Sequence, residues 1–166
     1  LTLAANKNHP KAQYNLGAIF AKGEYVKRDI TKAIHYFLLA ANQNDIDAQF
    51  NLGIIYYEGK YIQRDVNKAI NYLSIAVNQN SPSAQSNLGL IYYEGKYIPR
   101  DINKAIYYLS LAADQNYPNA QFNLAIIYMK GEYIQRDVNK AIHYYSLAAN
   151  QNYTEAQFNL GFIYYE

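Results

Sequence analysis

The sequence predicts an all-α fold of stacked antiparallel helix pairs, and three observations carry that prediction. The chain repeats itself every 36 residues, with Ala12, Ala48, Ala84, Ala120 and Ala156 opening successive copies. A fixed period of this length marks a helical repeat array. Each copy holds two stretches with apolar residues at helical spacing, and each stretch closes on a residue suited to the left-handed region. The connection from one copy to the next is two or three residues long, and connections that short between helices make neighbours antiparallel.

Taken in order, Leu1 to Asn8 matches the end of a copy, so the chain is expected to open inside a second helix. The first helix of each copy carries Ala12, Leu16, Ile19 and Phe20 at the i, i+4, i+7, i+8 spacing of a buried stripe. Pro10, Pro82 and Pro118 stand at its start, where the missing amide hydrogen costs nothing. Asp45 and Ser81 stand just before, as N-caps. Gly23, Gly59, Gly95 and Gly131 close it as left-handed glycines. After a short loop, Asp29, Asp65, Asp101 and Asp137 precede the second stripe, where a carboxylate accepts free helix amides and complements the dipole. Ala33, Tyr36, Phe37 and Ala40 trace that stripe, and Asn44, Asn80, Asn116 and Asn152 end it in left-handed caps. The expected layout is four repeats, about 10–45, 46–81, 82–117 and 118–153, between partial repeats 1–8 and 154–166. Both ends should then expose core positions, as in a window cut from a longer array.

Composition narrows the function. Hydrophobic residues make up 51% of the 166, ample for a core, and the 15 basic and 13 acidic residues are spread evenly over the copies. That spacing excludes the clustered Lys and Arg of a nucleic-acid surface. Without cysteine there is no disulfide framework and no thiolate metal site, which leaves the compartment open between cytoplasm and endoplasmic-reticulum lumen. The longest apolar runs, such as Leu124–Met129, are too short to span a bilayer, so no membrane insertion is expected. One sequon, Asn152-Tyr153-Thr154, has no counterpart in the other copies and reads as a chance match.

The run Leu16-Gly17-x-x-Phe20-x-x-Gly23-x-x-Val26-x-x-Asp29-x-x-Lys32-Ala33-x-x-Tyr36-Phe37-x-x-Ala40-Ala41 resembles the Sel-1-like repeat, a relative of the tetratricopeptide repeat. It recurs four times and covers essentially the whole chain. The departures are systematic. Tyr25, Tyr61, Tyr97 and Tyr133 replace a loop glycine, Asn44 and its equivalents replace the glycine after the second helix, and Tyr36, Tyr72, Tyr108 and Tyr144 replace a tryptophan. Gly17 becomes Ala125 in the fourth full copy, a change of one methyl group. The resemblance implies a right-handed α-solenoid whose concave face is lined by first helices, and a non-catalytic adaptor for protein complexes.

The first-helix residues left over by the stripe form the candidate site. They are Tyr14, Phe50, Phe122 and Phe158, with Ser86 interrupting; Ala18, Ile54, Leu90 and Ile126; and Ala21, Tyr57, Tyr93, Met129 and Tyr165. A strip this apolar is seldom exposed without a use, and a partner's helix or extended peptide would bury it. Packing against the next repeat is the competing account. Asn15, Asn51, Asn87, Asn123 and Asn159 run beside it, suited either to a peptide backbone or to a ladder between neighbouring helices. The expected partner contacts are therefore Tyr14, Asn15, Phe50, Asn51, Ile54, Tyr57, Asn87, Leu90, Tyr93, Phe122, Asn123, Ile126 and Met129. Charges of opposite sign bracket each glycine (Lys22/Glu24, Glu58/Lys60, Glu94/Lys96, Lys130/Glu132), as a solvated rim would.

No catalytic constellation appears. His9, His35 and His143 lie in different repeats, and no phosphate loop, HExxH or nucleophile motif is present. The reading is a scaffold that binds a protein or peptide partner, with no cofactor, metal or nucleic acid. The alternative is a structural or regulatory arm of a larger enzyme, such as a kinase, with the chemistry elsewhere.

Overall fold

The computed structural model describes residues 2–165, and those residues form ten helices and no strand. Leu1 and Glu166, the outer bounds of the two expected partial repeats, lie outside the described residues. The chain divides into two compact units, Leu1–Ser81 and Pro82–Glu166. The first holds α1 (Thr2–Asn6), α2 (Pro10–Lys22), α3 (Ile30–Ala41), α4 (Ile46–Glu58) and α5 (Val66–Asn78). The second holds α6 (Pro82–Glu94), α7 (Ile102–Asp114), α8 (Pro118–Lys130), α9 (Val138–Ala149) and α10 (Thr154–Tyr165). Within each unit every helix packs against the next, the arrangement of an α-solenoid.

Local chemistry sets the boundaries. The caps Asp29, Asp65, Asp101 and Asp137 accept the amide hydrogen of Lys32, Lys68, Lys104 and Lys140 at 2.9–3.0 Å. Each of these lysines also lies within 3.4–3.7 Å of its cap carboxylate. The same ammonium sits over an aromatic ring of the preceding helix, 5.2 Å from the Tyr56 centroid for Lys68. That ring stacks in turn on the tyrosine standing in the tryptophan position, as Tyr56 does on Tyr72 at 5.9 Å. The pattern recurs in Phe20/Tyr36, Tyr92/Tyr108 and Tyr128/Tyr144. Each second helix therefore starts under a cation–aromatic–aromatic stack that joins it to its partner.

The turns between copies take the expected left-handed form. Asn8, Asn44, Asn80, Asn116 and Asn152 all have φ between 61° and 66°. In each, two backbone bonds close the helix end, such as Asp45 N to Ala40 O and Asn44 N to Ala41 O, the paired bonds of a Schellman turn. Gly59 has φ of 59°, and a Cβ added there would lie 2.6 Å from the Arg64 Cβ, so conformation and space both call for glycine. Inside the helix crossing, a Cβ at Gly53 would meet Leu73 at 2.6 Å. The fourth copy has Ala125 at the matching position, fully buried beside Tyr145.

The buried face of the first helix follows the predicted stripe in part, with Ile91 and Ile127 buried at its third position, and it gains further members. Ala48, Gln49, Leu52 and Gly53 are its buried residues in α4, whereas Ile55 and Tyr56 are half-buried. The unforeseen member is glutamine. Gln13, Gln49, Gln85 and Gln121 are each at most 2% exposed, and each accepts from a second glutamine 30 residues on. Gln43, Gln79, Gln115 and Gln151 donate to them at 2.7–2.8 Å. The buried amides of Gln13, Gln49 and Gln121 also donate to the carbonyls of Ala5, Ala41 and Ala113, at the end of the preceding second helix. A buried amide is retained only where its groups are bonded.

Two outcomes follow from these contacts. Gln121→Leu fills similar space but strips Gln151 and the Ala113 carbonyl of a partner, and is expected to cost about 1–3 kcal/mol. Gln157→Leu, at an exposed position that bonds only Ala149 O, should cost less than about 1 kcal/mol. Urea denaturation of both variants checks this, and equal losses would remove the glutamine pair as a stabilising contact.

The carboxyls of Asp29, Asp65 and Asp101 are held below the usual carboxylate range. The helix amide bond does this first, opposed by desolvation and aided by the lysine ammonium. A depressed native pKa stabilises above the unfolded value of about 3.9, and that contribution disappears as pH falls through the lower native value. Carboxyl NMR titration should place the Asp65 midpoint below about 3.9. Asp65→Asn should keep the cap while removing that pH dependence. A midpoint at or above the ordinary value would contradict the capping account.

Candidate functional site

The first helices bury one face fully and the next rows in part. In α4 the buried side carries Ala48, Gln49, Leu52 and Gly53, while Asn51, Ile54 and Tyr57 are half-buried. In α6 and α8 the corresponding half-buried residues are Asn87, Leu90 and Tyr93, and Asn123, Ile126 and Met129, of which Tyr93, Ile126 and Met129 pack in part against the core. In α2, Asn15 is exposed.

The outermost predicted row is spent differently. Tyr14 is half-buried with its ring 5.8 Å from Phe37. Burial pushes its hydroxyl pKa up, and the Asn51 side chain hydrogen-bonds to it. Phe122 lies 5.7 Å from Tyr145 and 4.9 Å from Tyr153, and Phe50 is also half-buried. Phe158 alone of this row is open, at 74% exposure. A helical side chain leans toward its own N-terminus, and in Tyr14 and Phe122 the ring reaches the second helix of its own repeat. Tyr14, Phe50 and Phe122 are thus partly buried, as are Asn51, Ile54 and Tyr57.

The asparagines do not form a chain of amide-to-amide bonds. Asn51, Asn87 and Asn123 each donate to the carbonyl four residues earlier in their own helix, Asp47, Ser83 and Asn119, at 2.7–2.9 Å. Asn51 additionally contacts Tyr14, and Asn159 contacts the Tyr145 hydroxyl. One amide hydrogen of Asn51, Asn87 and Asn123 is spent holding the side chain against its helix, which fixes its direction.

The loops at the end of each first helix hold contacts that spacing did not reveal. The Arg-Asp pair works in two directions. The aspartate caps the second helix, and the arginine turns back to the end of the first. Arg64 donates from Nε to Tyr57 O at 2.9 Å and from Nη2 to Glu58 O at 2.8 Å. Arg100 makes the same two bonds to Tyr93 and Glu94. Two of the loop tyrosines that replace the family glycine, Tyr61 and Tyr133, reach back to the preceding repeat. Arg28 donates to the Tyr61 hydroxyl at 2.7 Å, and the Arg100 guanidinium lies 4.0 Å over the Tyr133 ring, which meets Tyr93 edge-on.

Along the rim, Lys22 lies 3.9 Å from Glu24 in its own copy. Lys60 and Lys96 instead sit over the rings of Tyr61 and Tyr97. Among the described residues no group of three His, Asp or Glu could hold a metal ion. Among the described residues no helix is long and apolar enough to cross a membrane.

No curated protein matches the chain. Among solved structures it is similar to a protective antigen of uropathogenic Escherichia coli strains that displays an SLR fold. Identity is 31% and the TM-score 0.90, over 98% of this chain and 35% of that one. A Sel1 repeat protein from Oxalobacter formigenes is 31% identical with a TM-score of 0.85, over 93% of this chain and 63% of the other. This chain therefore spans less than two thirds of the length of either. Helicobacter pylori cysteine-rich protein B is 28% identical with a TM-score of 0.63, over 83% and 99% of the two chains. The Sel1 repeat pattern matches residues 10–45, 46–81, 82–117, 118–153 and 154–166. The chain belongs to the Sel1 repeat family.

Proposed function

We propose that this chain is a non-catalytic scaffold that holds a segment of a partner protein against the open rows of its first helices. Sel1 repeat proteins generally act in protein–protein interaction. One observation on this chain carries the finer reading. The fully buried residues of α4 are Ala48, Gln49, Leu52 and Gly53, and α6 and α8 bury their counterparts together with Ile91 and Ile127. The next rows, Ile54 and Tyr57, Leu90 and Tyr93, and Ile126 and Met129, are only partly buried, so each keeps some apolar surface accessible. Apolar groups with side-chain amides beside them suit a peptide, whose side chains want burial and whose backbone wants donors and acceptors.

A peptide-display selection tests this. Peptides selected on the wild-type chain are measured against two triple variants that add the same three long cations. Asn51→Arg, Asn87→Arg and Asn123→Arg crowd the open rows. Asn67→Arg, Asn103→Arg and Asn139→Arg load exposed positions near the starts of the second helices. Affinity should fall at least about tenfold in the first variant, equivalent to about 1.4 kcal/mol, and about twofold or less in the second. Circular dichroism confirms that both remain helical. Failure to select any peptide, or equal losses in both variants, would count against the first-helix face.

A further inference from the structure

Each unit contains a junction between the end of a first helix and the loop of the following copy, and a ring present in one junction is missing from the other. In the second unit the ring is that of Tyr93, near the end of α6. It packs against the buried cluster that includes Leu124 and Ile127. It also meets the loop tyrosine Tyr133 edge-on, with ring centroids 6.3 Å apart. The Arg100 guanidinium lies 4.0 Å over the Tyr133 ring. Two rings and a cation therefore interlock at this junction.

The matching residues of the first unit are Ala21, Tyr61 and Arg28. A methyl group stands where Tyr93 carries a phenol. Ala21 is partly buried against the cluster of Ala48 and Leu52 in α4, so the place lies between two copies inside the unit. The other two groups also sit differently. Arg28 donates from Nη1 to the Tyr61 hydroxyl at 2.7 Å, and its Cζ is 5.4 Å from the Tyr61 centroid, against 4.0 Å for Arg100 and Tyr133. Among the described residues no second ring meets Tyr61. Tyr61 is correspondingly the more open of the two loop tyrosines, 50% exposed against 40% for Tyr133.

Resting on the reading of the first helices as a protein-binding face, we propose that the junction at Ala21, Tyr61 and Arg28 takes one aromatic side chain of the partner segment. The ring packs on the Ala21 methyl and meets Tyr61 edge-on, as Tyr93 meets Tyr133. The chain itself supplies the argument for this occupant, because the second unit fills the equivalent place with a phenol. An aliphatic side chain would bury apolar area there but would lack the edge-to-face attraction between rings. A single buried aromatic anchor of this kind often carries much of the energy of a protein interface.

Methyl NMR of the whole chain, labelled at alanine, tests this by titration with three peptide amides, Ala-Gln-x-Gln-Ala, where x is phenylalanine, leucine or serine. The phenylalanine peptide should bind at least about threefold tighter than the leucine peptide, within what an aromatic pair adds beyond area burial, and the serine peptide should bind weakest. Ring current from the bound phenylalanine should move the Ala21 methyl upfield, which the leucine peptide should not do. Ala21→Tyr installs the residue that the second and third copies already carry, so the chain's own ring should fill the place and erase the preference. Tyr93→Ala should do the opposite and create a second such place in the second unit, reported by an upfield shift of the methyl it introduces.

The comparison of peptides on the wild-type chain needs no variant to fold. Equal binding of the phenylalanine and leucine peptides, an Ala21 methyl that does not move, or a preference that persists in Ala21→Tyr would each overturn the aromatic place. So would the absence of binding by all three peptides. In those cases the Asn→Arg comparison on display-selected peptides still decides the protein-binding face separately. Failure of that selection as well would remove the face.

Discussion

A buried glutamine in the first helix of each of the four full repeats has to have its polar groups bonded, and that requirement organises the packing of helices within each unit. Its carbonyl oxygen takes a hydrogen from the glutamine that closes its own repeat. In the first, second and fourth copies its amide donates to the last turn of the helix before. An amide buried to 2% exposure or less that lost either partner would cost more than the bond is worth when made. Apolar contacts alone would let one helix slide over the next by a fraction of a turn. The glutamine pair is directional, so it favours one register. Alanine at 48, 84 and 120, fully buried beside it, lets the helices come close enough for the amide to reach.

The other end of each first helix is held by weaker, more exposed groups. There the arginine closes the helix carbonyls, the aspartate opens the next helix, and a loop tyrosine touches the arginine of the preceding repeat. Tyr61 is 50% exposed and Tyr133 40%, so these contacts are solvated and contribute less than the buried amides. Each repeat within a unit thus has one edge with buried, directional bonds and one edge with adaptable, stacked ones.

Much of this was legible in the sequence because the signals are local. A left-handed turn needs Asn or Gly, a helix start favours Asp, and an amphipathic stripe must recur at helical spacing. Asn44, Gly59 and Asp65 could therefore be placed without knowing what they touch. The glutamine column was not legible by hydropathy, because a polar residue is left out when a buried stripe is drawn. Its signal was a different one. Gln13, Gln49, Gln85, Gln121 and Gln157 recur unchanged, as do Gln43, Gln79, Gln115 and Gln151, which an exposed glutamine has no physical reason to do. Arg64 carries no local signal for its role: it stands beside Asp65, yet its long side chain runs back to Tyr57. For Tyr14 and Phe122, spacing alone does not encode the side-chain direction that brings their rings to the second helix.

The division of the first helix also bears on how an array of near-identical copies can recognise one partner segment. Positions that face the neighbouring helices are almost constant from copy to copy, because altering alanine, glutamine or leucine there disturbs stacking. Beside these, the asparagine row also stays constant, whereas another row changes from Ala21 to Tyr57, Tyr93 and Met129. Each substitution changes the local shape and polarity without touching the buried amides, so packing and recognition can vary separately. Specificity in this fold can thus reside in single positions of an otherwise uniform face, as it must if a repetitive scaffold is to bind a non-repetitive partner in one register.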